Sequence, residues 1–302
     1  MDEEGDGAAR CAASAPLREG VTPHALCLGE SDYPAPVLDL PQPPRMLWYI
    51  GDLNTLQAPC VAIVGTRKCT AYGERMAREL ASALARAGAC VISGMARGID
   101  GVAHAGALDV SGRTAAVLGT GVDIAYPPSH RSLHARIASA GLLLSELTPG
   151  AHSHGGSFPQ RNRLIAALAR LTIIVEAPKT SGALGTARHA IDLGREVAVV
   201  PGPIDSPQSE GSNALFNQGA HPITCIADAL ALLGLTPAVH TLTDPQDPDQ
   251  ASVWRALREG PADLDTICHR ASLPVQRCLA AVTALELNGS IECALTGEVR
   301  RR

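Results

Sequence analysis

Aromatic side chains are scarce in this chain: two Phe, two Trp and four Tyr among 302 residues. Charge is sparse too, with 18% Asp, Glu, Lys and Arg. No apolar run approaches the ~18 residues that a membrane-spanning helix needs, so no membrane partner is expected. The nine cysteines are scattered without a CxxC pair, which argues against a disulfide framework or a zinc site and for reduced thiols in a cytosol. Met1 is followed by Asp2, Glu3 and Glu4, an opening that predicts no secretory leader. Several catalytic signatures are missing as well. Without GxxxxGK[ST], hydrolysis of a nucleoside triphosphate by a P-loop is not expected, and neither GxSxG nor HExxH occurs. "GTGVDI" (Gly119–Ile124) has Ile124 where a dinucleotide fingerprint needs its third glycine. No cofactor, metal or catalytic residue is therefore assigned.

What is present is a regular alternation. Short β-branched or apolar runs occur at Cys60–Val64, Cys90–Ser93, Thr114–Leu118, Leu142–Ser145, Leu171–Val175 and Val197–Val200. Helical patterns near 73–87, 100–108, 130–140, 160–169, 182–193 and 211–219 follow them. Strand and helix alternating six times predict an α/β, Rossmann-like, doubly wound and mostly parallel sheet over residues 33–235. Residues 1–32 read as a loose tail, and the Pro-rich stretch Tyr33–Asp52 as an extended segment packed over the domain. A polar linker at 236–250 leads to residues 251–302. There, three short helices (Ala251–Leu257, Asp263–Arg270, Pro274–Leu287) and a hairpin with turns at Asn288-Gly289 and Thr296-Gly297 predict a small winged-helix domain.

In an open parallel sheet, ligands bind beyond the carboxyl ends of the strands. Net charge is −5, but residues 60–230 carry 15 basic against 12 acidic side chains, so the positive excess lies where those loops are. Each strand-end loop combines Gly with Ser, Thr, Asn or Arg: "GTRKCTAYG", "SGMARGIDGVAH", "GTGVDIAYPP", "SELTPGAHSHGGSFPQRNR", "EAPKTSGALGTARHA" and "PGPIDSPQSEGSN". Any one of them is compatible with an ordinary glycine turn. Together they predict that Arg67, Arg97, Arg161, Arg163 and Lys179 share one rim that binds phosphate. Several basic loops suit a chain of phosphates better than one compact cofactor. Phe158 either stacks on a base or staples the helix that follows it.

Arg161 and Arg163 sit at a helix start, where arginine is mildly unfavourable. Being two residues apart they cannot share a helix face; one is expected to meet phosphate and the other to brace Glu146 or Glu176. Asp100, Asp123, Glu146 and Glu176 read as capping or arginine-pairing groups rather than acid–base catalysts. The pairs His130/His134 and His152/His154 lack a third ligand and read as solvated or locally hydrogen-bonded.

"VAIVGTR", "SGMARGIDGVAH", "AVLGTGVDIAYPP", "LLSELTPG", "FPQRNRLIAAL", "VVPGPI" and "GSNALFNQGA", in this order and spacing, closely resemble the DNA-processing protein A (DprA/Smf) family over roughly Tyr33 to Leu235. The resemblance implies a homodimeric, cytoplasmic protein without catalytic activity of its own. Such a protein binds and protects incoming single-stranded DNA in natural transformation and loads the RecA recombinase. It also implies that Gly65, Thr66 and Arg67 meet the phosphate backbone, that Phe158, Arg161, Asn162 and Arg163 share the pocket, and that Ser181, Gly182 and Thr186 line it. Many members carry a basic residue shortly before the Phe, where this chain offers only His152 and His154. Two other readings stand beside it. "SGALGTARHA" is similar to the PGGxGTxxE motif of Rossmann-fold nucleoside-monophosphate phosphoribohydrolases, although His189 falls near the position of their catalytic glutamate. A protein-interaction scaffold that uses the winged helix is the third.

Overall fold

The structure is a computed structural model; it describes residues 22–236, 245, 247–287, 290–294 and 297–301. The chain forms two compact units, Met1–Ala238 and Val239–Arg302.

The first unit is a nine-stranded sheet. Its strands are β1 (His24–Cys27), β2 (Met46–Gly51), β3 (Cys60–Val64), β4 (Cys90–Ser93), β5 (Thr114–Val117), β6 (Leu142–Ser145), β7 (Leu171–Ile174), β8 (Glu196–Val199) and β9 (His221–Pro222), in the spatial order β1-β2-β6-β5-β4-β3-β7-β8-β9. From β6 to β9 all neighbours are parallel; for example Val61 of β3 pairs with Leu171 of β7. Side chains alternate between the two faces of each strand. Along β3, Val61 and Ile63 enter one apolar cluster, while Cys60, Ala62 and Val64 enter the other. Both faces are thus buried, and the central strands read as unbroken apolar runs.

Helices cover the two faces. Against the Val61/Ile63 face pack α1 (Ala71–Arg86) and α2 (Ile99–Leu108), with α3 (Arg131–Ala140) beside them. Against the other pack α4 (Ser157–Leu168) and α5 (Ala183–Asp192). Short α6 (Glu210–Ala214) and α7 (Ile226–Leu232) complete the unit. Helix α1 shows why these segments fold as they do: Thr70 caps it by accepting from Gly73 N at 3.2 Å, and Ala77, Leu80, Ala81 and Leu84 form its buried stripe. The chain runs β3→β6 towards one edge and returns through α4 to β7 on the other side of β3. The switch point therefore lies between β3 and β7.

Two expectations need correction at the N-terminal side. Residues 24–27 are a strand, not tail: β1 pairs antiparallel with β2, with His24 opposite Tyr49. Residues 1–21 lie outside the described residues. The Pro-rich stretch divides: its first part does pack over the domain, with Tyr33, Val37 and Leu40 buried in the α4-side cluster, and only its end, Met46–Gly51, continues the sheet. Met46–Gly51 carries no proline, so its amides are free to pair antiparallel with β6, Trp48 opposite Ser145.

The second unit consists of α8 (Pro248–Ala256), α9 (Leu264–Ala271), α10 (Val275–Leu287) and the antiparallel pair β10 (Ile291–Cys293) and β11 (Val299–Arg301). Asp247 caps α8 at Gln250 N (2.9 Å), and Asp263 caps α9 at Thr266 N (2.8 Å). Trp254, Leu257, Ile267, Leu285 and Ile291 make its core. Helix α8 begins at Pro248, so it takes in the end of the expected linker, because Asp247-Pro248 is a cap followed by a proline at the first helical position. The turn residues Asn288, Gly289 and Thr296 lie outside the described residues.

Candidate nucleic-acid interface

The loops after β3 and β7 flank the switch point, and between them opens a cleft of about 490 Å³. Gly65, Thr66, Arg67 and Lys68 form one wall; Ser181, Gly182, Ala183 and Thr186 form another. Phe158, Pro159, Arg161 and Asn162 of α4 close the floor. A second cleft of about 320 Å³ adjoins it and shares Arg67, Lys68, Phe158 and Arg161; Arg97, Gly119 and Tyr126 complete its wall. The first cleft has one acidic lining residue, Asp100, and the second has none. Residues from the first turns of α2, α4 and α5 line the first cleft, which adds their unpaired amides to the positive field.

Arg67 is exposed, and its guanidinium lies over the Phe158 ring at 5.5 Å from the centroid. The same ring leans on Tyr126, centroids 5.1 Å apart. Room for the ring depends on Gly119, where a Cβ would stand 2.7 Å from Phe158 Cδ1. Phe158 is thus half-buried, held from one side by Tyr126 and capped by a cation.

The loop that presents Arg67 is fixed by Glu176. Its backbone carbonyl accepts from Thr66 N at 2.7 Å, and its buried carboxylate accepts from Thr70 N (2.9 Å) and Thr70 Oγ1 (2.5 Å). Glu176 is therefore a bracket for the loop, and among the described residues it pairs with no arginine. Gly98, at φ +72°, packs against the Thr66 carbonyl from the other side, in a backbone region that disfavours residues with a Cβ.

The two helix-start arginines part ways. Arg161 is 4% exposed. It donates to Gly94 O at 2.8 Å and to Val117 O, so it ties the ends of β4 and β5 together. Asp100, which accepts from Gly94 N at 3.1 Å, borders the same spot, and a Cβ at Gly94 would collide with both side chains. Burial pulls the Arg161 pKa down to about 10, against the attraction of Asp100 and with the repulsion of Arg67. Burial likewise raises Asp100, although Arg161 and backbone amides oppose it. Arg163 lies elsewhere: it pairs with Glu146 at 2.5 Å and donates to Gln42 O at 3.0 Å.

The single rim of five cations is therefore corrected. Arg67 and Arg97 face the clefts as exposed cations, and Arg161 reaches them from beneath, already engaged with carbonyls. Arg163 is a brace in the α4 face, because residues two apart on a helix diverge by about half a turn. Lys179, within the Pro178–Gly182 turn, is ion-paired with Glu210 and lines a separate small cleft. Asn162 donates to Gly182 O at 3.3 Å and steadies that turn.

Tyr126 and Lys68 are the additions to the assigned site. Tyr126 was visible only as one of four tyrosines in a strand-end loop; its apposition to Phe158 depends on the fold. Of the histidines, His134 is buried against Val122 O (2.9 Å) and His130 meets Met95 O (3.1 Å). Among the described residues no group of three or more His, Cys, Asp or Glu is placed to hold a metal ion. No helix among them is long and apolar enough to cross a membrane.

The chain resembles known proteins over both units. Residues 24–234 match the family of DNA recombination-mediator protein A, and residues 236–294 match the DprA winged helix domain. Protein Smf of Synechocystis is 36% identical over 89% of this chain and 78% of that protein; Protein Smf of Escherichia coli is 38% identical over 92% and 78%. The crystal structure of DNA processing protein A from Streptococcus pneumoniae superposes with a TM-score of 0.67 at 37% identity, covering 69% of this chain and 73% of that one. DNA processing protein A from Helicobacter pylori, whose structure concerns its single-stranded DNA binding mode, superposes with a TM-score of 0.63 at 34% identity over 70% and 95%.

Proposed function

Because this chain belongs to the DNA recombination-mediator protein A (DprA/Smf) family, we propose that its paired clefts hold single-stranded DNA. One observation carries this reading: exposed Arg67, Lys68 and Arg97 surround the Phe158–Tyr126 aromatic pair at the sheet's switch point. Cations along a groove neutralise successive phosphates, and an aromatic face stacks on an unpaired base. A base inside a duplex is already stacked on its neighbours, so the same site prefers a single strand.

The family reading extends further: a homodimer in the cytoplasm that protects incoming strands during natural transformation and loads RecA onto them. Stimulation by this chain of RecA-driven ATP hydrolysis on single strands tests the loading step, and sedimentation tests the dimer.

The binding itself is tested by fluorescence anisotropy of labelled single- and double-stranded oligonucleotides across a salt series. Single strands bind preferentially, with affinity falling steeply as salt rises. Arg67→Ala lowers the slope of log K against log salt by roughly 0.7 for one lost phosphate contact. Phe158→Ala weakens binding by about 1–3 kcal/mol with little change of slope, as loss of one stacked base predicts. Undetectable or salt-independent binding by the unaltered protein overturns the proposal.

A further inference from the structure

A small cleft of about 130 Å³ lies between α5 and α6, with Lys179 and Arg188 among its lining residues. Arg188 is exposed and forms no ion pair or hydrogen bond among the described residues, although Asp192 stands one turn further along α5. Among the described residues Lys179 pairs with one acidic side chain, Glu210, the two being 69% and 49% exposed; so exposed a pair is weak and readily exchanged for another anion. This cleft is continuous in sequence with the main one, since Thr180 and Ser181 line the first and Lys179 the second.

The surface between them is bare in an unexplained way. Gly182 and Gly185 are one helical turn apart at the start of α5, and Arg188 follows at the same spacing. Neither glycine has a positive φ, and a Cβ at either would meet nothing within 4 Å. Gly182 is the N-cap of α5, where glycine is well tolerated, but at Gly185, inside the helix, backbone geometry and packing give no reason for glycine, which disfavours a helix relative to alanine. Close approach of a ligand does give one.

We infer that a bound single strand continues out of the main cleft across Gly182 and Gly185, and that Arg188, with Lys179, neutralises a phosphate beyond it. This inference rests on the single-strand reading of the paired clefts. It makes Arg188 an affinity determinant for strands long enough to reach it, and gives the strand a direction: from Arg97, past Arg67 and Phe158, to Arg188.

The test is anisotropy of the full chain with labelled dT3 and dT15 across a salt series. Arg188→Ala leaves dT3 affinity unchanged, weakens dT15 several-fold and lowers the dT15 salt slope by roughly 0.7. Gly185→Glu places bulk and negative charge on the path where the fold has room; its melting temperature stays at or above that of the unaltered protein, while dT15 binding falls at least as far. Equal dT15 affinity and slope for Arg188→Ala overturns the inference. So does loss of dT3 binding in step with dT15. Arg67→Ala serves as the control for the underlying reading: if it too leaves both oligonucleotides unaffected, the single-strand assignment itself fails; if it weakens both, only the extension is at stake.

Discussion

Arg161 and Arg163 are the same residue type at the same helix start, yet burial separates their roles. Arg161→Ala strips Gly94 O and Val117 O of a donor and leaves the Asp100 carboxylate without its attraction. Breaking such a buried arrangement costs about 3–5 kcal/mol, so denaturant unfolding should show a large loss of stability. Arg163→Ala breaks the pair with Glu146 without touching a cleft residue. Its melting temperature falls, whereas the salt slope of single-strand binding stays that of the unaltered protein. His104 sets the acid limit. It is fully buried; Thr114 Oγ1 donates to Val91 O, so it must accept from the His104 Nδ1–H, which fixes the ring's orientation, and burial keeps the ring neutral. Burial holds its pKa at about 3, against 6.5 unfolded. Above pH 6.5 neither state is charged and the group is neutral towards folding. Below it the unfolded chain takes up a proton that the folded one refuses, so stability is lost at up to about 1.4 kcal/mol per pH unit down to about pH 3. Urea unfolding of His104→Gln between pH 7 and 4 should show a correspondingly flatter decline.

At the level of elements, the cation-bearing loop and helix α1 are one device. Thr70 caps α1 and also donates to Glu176, whose backbone holds Thr66. Thr70→Ala therefore removes a cap worth about 0.5–2 kcal/mol and loosens the loop carrying Arg67. Both the melting temperature and single-strand affinity should fall, and Thr70→Ser should restore both because it keeps the hydroxyl. The elements themselves were legible: each of the six central strands expected from apolar runs lies within one residue of its place, since strands buried on both faces have no other pattern to show. Strand β1 was not legible. Its four residues, "HALC", are exposed apart from Leu26, so neither an alternating pattern nor an apolar run announces it.

On the scale of the whole molecule, each unit has its own apolar core. Every residue of the paired clefts belongs to the first. A chain ending at residue 236 should unfold cooperatively and bind single strands with the salt slope of the full protein to within about one unit. In the second unit, the start of α10 exposes Val275 and Leu279, and its Arg277 is engaged by Asp249 at 2.8 Å. No lining residue of the paired clefts lies in this unit, which is why the slope should survive truncation.

The sequence by itself determined the doubly wound sheet, the winged helix and the loops in which function had to be sought, because apolar period, capping residues and glycine turns are local properties. It also placed Arg67, Arg97 and Phe158 among the candidates. Only the tertiary structure decided which cations face solvent. Burial depends on what the rest of the chain brings alongside: Gly94 and Val117 claim Arg161 and Glu146 claims Arg163, while Lys179 stays exposed but beside a separate cleft. Tyr126 meets Phe158 for the same reason, since two loops distant in the chain end at neighbouring strand ends of one sheet.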